Sequence, residues 1–350
     1  MERIIAEIII DGSYGEGGGQ IIRTALSLAA ITGKAVEIVN VRAGRAKPGL
    51  QPQHLMAVRA AAQLCDAVVT GDAAGSQRLS FAPQCPPRAD QYTFEIGTAG
   101  STALVLQTAL LPLALAAAPS QLRVTGGTHV PHAPAIEYLA SVYLPALKHI
   151  GVTAACAYTR AGFFPRGGGE VHAEVAPCRK LRCLDLTERG HLVSLKATIL
   201  TAGLPDHVGE RGRETVERRL KGLGRRVEVE LQRRDAANPG AAVILTAACE
   251  QGYAGFTALG ERGKPMELVA KEACTDFQRW WKSGAACDVH LGDQLVLPLA
   301  LALAHGDSRW TVPTVTDHLR TVLWVAERFL PMTSRLAPRD DGACEVILHG

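Results

Sequence analysis

The residues best suited to chemistry lie in one turn, residues 15–23, between an apolar run typical of a strand (8–10) and one typical of a helix (24–31). Three successive glycines let backbone N–H groups approach a ligand closely, and a helix start carries unpaired N–H groups and partial positive charge. The turn therefore suits an anion such as phosphate, with Arg23 as a cationic clamp. Glu16 would repel a phosphate unless a cation lies between them, so it indicates a divalent ion. A tight turn without any ligand explains the glycines equally well.

A basic loop follows the next predicted strand. Arg42, Arg45 and Lys47 fall within six residues of one another, with glycines nearby. Cationic groups held close together suit a phosphate. Gln53 and His54 open the following helix, so both side chains could face the same cleft. A basic surface loop is the alternative.

Polar residues open a further helix in an otherwise apolar part of the chain. Ser101 and Thr102 stand at its start, where their hydroxyls suit either a phosphate or sugar, or ordinary N-capping. Gln107 lies within the same helix, and an amide in apolar surroundings needs a partner. Residues 163–170 form a second triple-glycine turn, in which Arg166 either contacts a polynucleotide backbone or belongs to a structural hairpin.

Two later helix starts carry titratable groups. One of them consists of His290, Leu291, Gly292, Asp293 and Gln294. There Asp293 could cap the helix or hold a metal ion or a ribose hydroxyl. His318 opens the last helix, where the dipole disfavours its cationic form and leaves the neutral imidazole that a nucleophile requires. For any single histidine, a structural or merely exposed role is the alternative.

Three of these helix starts resemble one another, at residues 19–26, 100–107 and 292–298. Each is followed about 25 to 35 residues later by a second helix with a polar start, and a short β-rich stretch lies between. The pattern predicts a strand–helix–strand–helix unit used three times. Equivalent loops of such units could line one cleft.

A long interval with mixed charge separates the second and third units. Its predicted elements are a helix at 210–221, strands at 227–231 and 241–247, and a helix at 267–282. We interpret residues 184–282 as an inserted small α/β domain, and residues 1–183 plus 283–350 as the large domain. The predicted fold class is therefore α/β (α+β), with three repeated units and one insertion.

The totals exclude several classes of protein. A net charge of +3 neither requires nor excludes a nucleic acid. The nine scattered cysteines contain no Cys-x-x-Cys pair, which favours reduced thiols in a cytoplasmic protein over a disulfide framework or a zinc site. There is no signal-peptide pattern, and the apolar runs at 109–118 and 295–304 are too short to span a bilayer, so no membrane partner is expected. Walker A, dinucleotide-binding Gly-x-Gly-x-x-Gly, His-Glu-x-x-His and Gly-x-Ser-x-Gly motifs are absent from the sequence.

Taken together, the motifs resemble the RNA 3′-terminal phosphate cyclases over almost the whole chain. The matching segments are 11–12 with 15–23, 42–49 with 53–55, 75–77, 97–101 with 104–107, 126–128, 162–169, 293–298, and His318 with 327–330. The family fold is similar to the predicted one: three repeated α/β units, with a small domain inserted between the second and third.

The resemblance implies a specific chemistry. ATP and a divalent metal, Mg²⁺ or Mn²⁺, adenylate a histidine and release pyrophosphate. The AMP passes to the 3′-phosphate of an RNA, and the neighbouring 2′-hydroxyl expels it to leave a 2′,3′-cyclic phosphate. That last step is intramolecular and needs little further catalysis. The implied partners are RNA 3′-phosphate ends, and a homodimer is compatible with the sequence.

The resemblance also assigns roles by position. His318 matches the nucleophile, Gln107 and residues 290–294 match the ATP-binding positions, and Glu16 matches the metal-linked carboxylate. The positions near the phosphates and the RNA end are Arg23, Arg42, Arg45 and Gln53. One departure is clear, since residues 290–292 read His-Leu-Gly where the bacterial pattern has Tyr-Leu-Ala. The adenine side of the pocket is therefore expected to differ.

Two other functions compete with the enzyme. Non-catalytic cyclase-like proteins of ribosomal RNA processing share the fold but lack the nucleophilic histidine. The presence of His318, Glu16, Arg23 and Asp293 favours the enzyme. A small-molecule transferase of related repeated architecture, such as an enolpyruvyl transferase, would bind anionic metabolites and would not adenylate itself.

Overall fold

The computed structural model describes residues 5–223 and 226–350. Gly224 and Arg225, which belong to the charged segment of the predicted insertion, lie outside the described residues. Within the described ranges, no helix combines the length and the apolar character that crossing a membrane requires.

The first repeat unit is a four-stranded sheet covered by two helices. Its elements are β1 (Ile8–Asp11), α1 (Gly19–Thr32), β2 (Val36–Val39), α2 (Pro52–Leu64), β3 (Val68–Thr70) and β4 (Leu79–Ala82). The spatial order is β1-β2-β4-β3, in which β1 and β2 are parallel and the other pairs antiparallel. In β1, Ile8 and Ile10 face the core whereas Ile9 is exposed, which is the alternation expected of a half-buried strand.

The second unit repeats this arrangement. Its elements are β5 (Gln91–Glu95), α3 (Thr102–Ala114), β6 (Ser120–Gly126), α4 (Ile136–Tyr138), a π-helical turn (Leu139–Tyr143), α5 (Leu144–Ile150), β7 (Ala154–Arg160) and β8 (Gly169–Val175). The order β5-β6-β8-β7 matches that of the first sheet, again with one parallel pair. The predicted hairpin around the second triple glycine is thus the last pair of strands in this unit.

The third unit begins with a two-residue strand, β9 (Asp185–Leu186), and is then interrupted by the inserted domain. The insertion comprises β10 (Leu192–Ala202), α6 (Asp206–Arg219), β11 (Glu228–Arg233), β12 (Gly240–Cys249), β13 (Tyr253–Leu259) and α7 (Met266–Ser283). Its sheet has the order β11-β10-β12-β13. One face packs on α6 and α7 around Phe277 and Trp280, and the other packs on the second unit through Phe163. Burial on both faces explains the continuous apolar runs in β10 and β12.

After the insertion the third unit is completed. Its remaining elements are α8 (Val289–Gln294), α9 (Val296–Ala302), a 3₁₀ turn (Leu303–His305), β14 (Ser308–Val312), α10 (Asp317–Phe329), β15 (Thr333–Pro338) and β16 (Cys344–His349). The sheet order is β9-β14-β16-β15, with β9 parallel to β14. All three units therefore share one topology.

The predicted fold class, an α/β chain of three repeated units with a small inserted α/β domain, is confirmed. Two details differ from the sequence-based expectation. Each sheet has two further strands with antiparallel pairing beyond the strand–helix–strand–helix pattern, and of these the sequence indicated only the hairpin of the second unit. Because β9 belongs to the third sheet, the insertion lies after the first strand of the third unit and not ahead of that unit.

Candidate functional site

Helix starts from the first and second units converge at one place. A methyl group on Gly19, the first residue of α1, would lie 2.8 Å from Cδ2 of His54 and 2.9 Å from Nη1 of Arg23, so only glycine permits this approach of α1 and α2. The side-chain oxygen of Gln53 accepts a hydrogen bond from the Ser101 N–H at 3.3 Å, which joins the starts of α2 and α3. Three partial positive charges therefore meet at one edge of the large domain.

The start of α10 joins this cluster through the loop before α1. Thr316 caps α10 by accepting a hydrogen bond from the Leu319 N–H at 3.0 Å. Loop residues 14–16 lie along the surface of α10, and each successive loop residue contacts a helix residue three positions closer to the helix start. The contacts are Tyr14 stacked on Trp324 with ring centroids 4.1 Å apart, Gly15 against Thr321, and Glu16 against His318.

His318 and Glu16 form the centre of the site. Nε2 of His318 lies 2.7 Å from Oε2 of Glu16, and Arg45 pairs with the other carboxylate oxygen. Burial lowers the pKa of His318; Glu16 opposes this effect, while Arg23 and Arg45 reinforce it. The structure therefore favours a neutral imidazole, as expected from the sequence. The largest cause is burial of the ring, whereas the sequence-based argument relied on the helix dipole. Nδ1 of His318 is buried without a hydrogen-bond partner among the described residues.

Arg23 supplies a partly buried cation beside this pair. Its Nη2 donates to the side-chain oxygen of Gln20 at 2.7 Å. Burial lowers its pKa to about 10, whereas the nearby carboxylates of Asp293 and Glu16 act in the opposite direction. The guanidinium thus remains charged at neutral pH and is influenced by two acidic groups.

A small cavity of about 50 Å³ extends from Arg23 into the large domain. Its lining consists of Gln20, Arg23, Thr24, Ser27, Gln107, Leu111, Tyr143, Asp293, Gln294, Leu297 and Val322. Nε2 of Gln107 and Oε1 of Gln294 are buried without a hydrogen-bond partner in the described part of the chain. Because buried amides are normally satisfied, both atoms are free for a ligand or water. The volume accommodates only one or two water-sized groups, so a nucleotide would have to extend beyond it.

Asp293 also borders the cavity and is almost completely buried. Burial and the neighbouring Asp288 raise its pKa well above the ordinary value, and Arg23 opposes this increase. Burial therefore disfavours the ionised carboxylate of Asp293, and Arg23 offsets this effect only in part.

The structure separates the members of the predicted ATP-binding segment. Asp293 and Gln294 line the cavity, whereas Leu291 is fully buried in the core. Gly292 packs against β14, and its carbonyl accepts a hydrogen bond from Nε1 of Trp310 at 3.0 Å. His290 is exposed, with its ring edge-on to Tyr138.

The two arginines of the basic loop, Arg42 and Arg45, make different contacts. Arg45 reaches Glu16, but Nη1 of Arg42 donates to the carbonyls of Lys47 (2.7 Å) and Gly49 (3.0 Å). Burial and then the neighbouring Arg45 lower the pKa of Arg42. In this structure, Arg42 stabilises its own loop, and its remaining N–H groups are the ones left for a phosphate.

Asp288 was not among the residues singled out from the sequence. Its Oδ1 caps α8 by accepting hydrogen bonds from the N–H groups of His290 (2.8 Å) and Leu291 (3.0 Å). Its Oδ2 accepts one from the Gly255 N–H of the inserted domain at 2.9 Å, and the Tyr138 hydroxyl also donates to it. Asp288 thus links the second unit, the insertion and the third unit. An aspartate directly ahead of a predicted helix is the pattern that could have revealed it.

The residues present fit a magnesium-type site completed by a substrate. No group of three or more His, Cys, Asp or Glu side chains within residues 5–223 and 226–350 is arranged as a metal centre. Mg²⁺ is commonly held by one or two carboxylates together with substrate phosphates and water. Apart from its contact with His318, Oε2 of Glu16 is buried and has no hydrogen-bond partner among the residues that the structure describes, so Glu16 can provide such a carboxylate.

A buried polar cluster supports the loop that follows β6. His129 lies 2.8 Å from Oε2 of Glu137, and the Tyr158 hydroxyl donates to Oε1 at 2.7 Å. Burial would raise the pKa of Glu137, but His129 and Tyr158 outweigh it and lower the pKa to about 2. Because this value lies below the ordinary 4.5, the ionised carboxylate stabilises the fold fully above pH 4.5, and that contribution is lost as the pH falls towards 2.

We therefore expect Glu137→Gln to lower the free energy of unfolding by about 2–3 kcal/mol at neutral pH. The difference from the parent protein should shrink as the pH falls below about 4.5. Urea unfolding of the parent and of Glu137→Gln between about pH 7 and pH 3 measures this difference in the free energy of unfolding. Glu174→Gln, an exposed change in β8, should cost little at any pH. A difference for Glu137→Gln that stays constant with pH would contradict the prediction.

Comparison with known proteins matches nearly the whole chain. A sequence model of a family described as RNA 3′-terminal phosphate cyclase matches residues 14–336. A protein named RNA 3′-terminal phosphate cyclase from Methylococcus capsulatus is 48% identical over 327 residues, covering 91% of this chain and 90% of the relative. Relatives of the same name from Nostoc punctiforme and Pyrobaculum neutrophilum are each 44% identical, covering 92% and 93% of this chain and 94% of each relative. The range matched by the family extends from the loop before Glu16 to beyond α10 and contains every element of the site.

Proposed function

Since the chain belongs to the RNA 3′-terminal phosphate cyclase family, we propose that it uses ATP to convert the 3′-terminal phosphate of an RNA into a 2′,3′-cyclic phosphate. The reaction proceeds through AMP bound covalently to His318. One observation carries the assignment of the nucleophile: His318 stands at a helix start, in contact with Glu16 and beside two arginines. This arrangement supports a neutral imidazole next to a place where phosphates bind.

In the first step, a ring nitrogen of His318 attacks the α-phosphorus of ATP. A P–N bond forms, the bond between the α-phosphorus and the bridging oxygen breaks, and pyrophosphate leaves. Arg23 and Arg45 stabilise the negative charge that develops on the phosphates. The free amide groups of Gln107 and Gln294 are available to orient the nucleotide.

In the second step, an oxygen of the RNA 3′-phosphate attacks the phosphorus of the histidine-bound AMP. A P–O bond forms, the P–N bond breaks, and His318 is regenerated. The 2′-hydroxyl then attacks the activated terminal phosphate, its proton passes to solvent, and AMP leaves. Arg42 and Gln53 hold the RNA end, and the proximity of the 2′-hydroxyl replaces a protein nucleophile in this step.

A divalent ion, Mg²⁺ or Mn²⁺, would be held by Glu16 together with phosphate oxygens of the substrate. When bound, it supplies charge neutralisation and polarises the reacting phosphoryl group. Glu16 itself positions the His318 ring through the contact at Nε2.

The proposal is tested with an RNA that carries a radioactive 3′-terminal phosphate. With ATP and Mg²⁺, the label should become resistant to alkaline phosphatase, and an RNA ending in a 3′-hydroxyl should not react. EDTA should abolish the conversion. If the label stays sensitive to phosphatase and the protein carries no AMP, the result would favour a non-catalytic cyclase-like protein or a small-molecule transferase.

The contact between Gly15 and Thr321 gives a prediction for the positioning of Glu16. Gly15 has φ of +56°, and a methyl group there would lie 2.6 Å from Oγ1 of Thr321. We expect Gly15→Ala to displace Glu16 from His318 and to slow self-adenylation by about 10²-fold, with an unchanged circular dichroism spectrum. Gly33→Ala is the matched control, because Gly33 has φ of +74° but open space around it. Equal adenylation rates in the two variants would contradict the prediction.

A further inference from the structure

A second, larger cavity begins at the same cluster of helix starts. It has a volume of about 470 Å³, within the range of roughly 300–1,000 Å³ that is typical of small-ligand sites. Gln53 borders it, while the neighbouring His54 contacts Gly19 beside Arg23. The cavity is therefore bordered by one of the two residues that we propose to hold the RNA end, and its interpretation rests on that proposed function.

The walls of this cavity are mainly apolar and include an exposed aromatic ring. Pro131, Pro165 and Phe164 form one part of the lining, and 67% of Phe164 is exposed to solvent. Gln53 and His132 add polar groups. An accessible flat ring beside prolines and a few hydrogen-bonding groups is the combination that binds unpaired nucleobases by stacking.

The inserted domain holds this ring in place without covering it. Nδ2 of Asn238 donates to the Phe164 carbonyl at 3.1 Å, and Nη1 of Arg166 donates to the Ala237 carbonyl at 3.2 Å. The ring of Phe163 packs onto Gly240 and belongs to the apolar cluster shared with the insertion. Arg166 is therefore a structural residue of this turn, and Phe164 is the residue of the turn whose side chain lines the cavity and is exposed to solvent.

From these observations we infer that the cavity between Gln53 and Phe164 binds an unpaired base near the 3′ end of the substrate RNA, with Phe164 as the stacking platform. The separate cavity lined by Gln107 and Gln294 is left for ATP. Because a base that is paired in a duplex cannot enter the cavity by itself, a single-stranded 3′ end is preferred over a blunt duplex end.

The test compares Phe164→Ala, Phe164→Trp and the control Leu268→Ala, in which another exposed apolar side chain is removed from the inserted domain. For Phe164→Ala we expect the KM for a short 3′-phosphorylated RNA to rise about tenfold, with kcat nearly unchanged. Phe164→Trp and Leu268→Ala should retain the KM of the parent. The rate of self-adenylation with ATP alone should be the same in all four proteins.

A second measurement does not depend on turnover. RNAs with 2-aminopurine at each of the last three positions should show quenched fluorescence on binding the parent protein, and Phe164→Ala should remove the quenching. Parental KM and quenching in Phe164→Ala would overturn the base site and leave the proposed function intact. A raised KM for ATP in self-adenylation would instead place adenine in this cavity and also overturn it. Quenching by a parent protein that never becomes adenylated would support the base site and contradict the proposed function.

Discussion

His318→Asn is expected to abolish self-adenylation. The parent protein, incubated with ATP and Mg²⁺, should gain the mass of one AMP, whereas the variant should be slower by at least about 10³-fold because no other neutral nucleophile occupies this position. The histidine side chain is 42% exposed and its Nδ1 makes no hydrogen bond to the described residues, so its replacement should leave the fold intact. Intact-mass spectrometry with peptide mapping measures the label, and its loss in acid and stability in base identify a P–N bond.

The control for this change is His290→Asn. His290 lies at the start of α8 and is exposed, so it is the next histidine that could serve as the nucleophile if His318 does not. We expect its variant to retain labelling within a few-fold. Full labelling of His318→Asn together with loss in His290→Asn would transfer the nucleophile to His290.

Much of the fold could be predicted because the apolar periodicity is strong. The strand at 8–10, the helices that begin near Gln53 and Asp317, and the repeat itself are confirmed. Outside the second unit, whose hairpin was indicated by the sequence, the further strands were missed because they are short or partly exposed, as β3 (three residues) shows. The place of the insertion was missed for the same reason, since β9 has only two residues and is defined by its partner β14.

Membership of the family, expected from the motifs, is confirmed. The roles of individual residues remain predictions, but the structure separates those that meet from those that do not. Glu16 and His318 are 302 positions apart in the chain (318 − 16) and touch because the first and third units pack side by side. Leu291 and Gly292 could not be distinguished from Asp293 by sequence, since α8 has only six residues and the side that faces the core follows from tertiary packing.

Two hydroxyls show how a polar motif can be used within the fold. The Ser101 side chain accepts a hydrogen bond from the Leu104 N–H, and Thr102 donates to the Gly127 carbonyl at 2.9 Å. Both are therefore committed to capping and to the β6 connection, which was the alternative that the sequence left open. The Ser101 N–H, which binds Gln53, is the group that links this helix start to the site.

Arg23→Met is expected to slow self-adenylation by about 10²–10³-fold, because a partly buried cation that faces the phosphates is lost. Arg23→Lys should lose about tenfold, since the charge remains but the forked geometry does not. Arg23→Met is also expected to affect the stability of the protein in the absence of ATP. Arg23 opposes the increase in the pKa of Asp293, so its removal raises that pKa further and leaves the buried carboxyl without its cation.

The two effects separate in a double variant. Adding Asp293→Asn to Arg23→Met removes the unpaired acid, so the free energy of unfolding should recover most of the loss while self-adenylation stays slow. Asp293→Asn alone completes the cycle. Urea unfolding and the rate of AMP incorporation are measured on all four proteins.

If the double variant regained the parental rate, Arg23 would act only by neutralising Asp293. If stability recovers but the rate does not, the guanidinium acts on the nucleotide itself, and the charge balance among Arg23, Asp293 and Glu16 is then the feature that lets this site accept a polyphosphate next to two carboxyl groups.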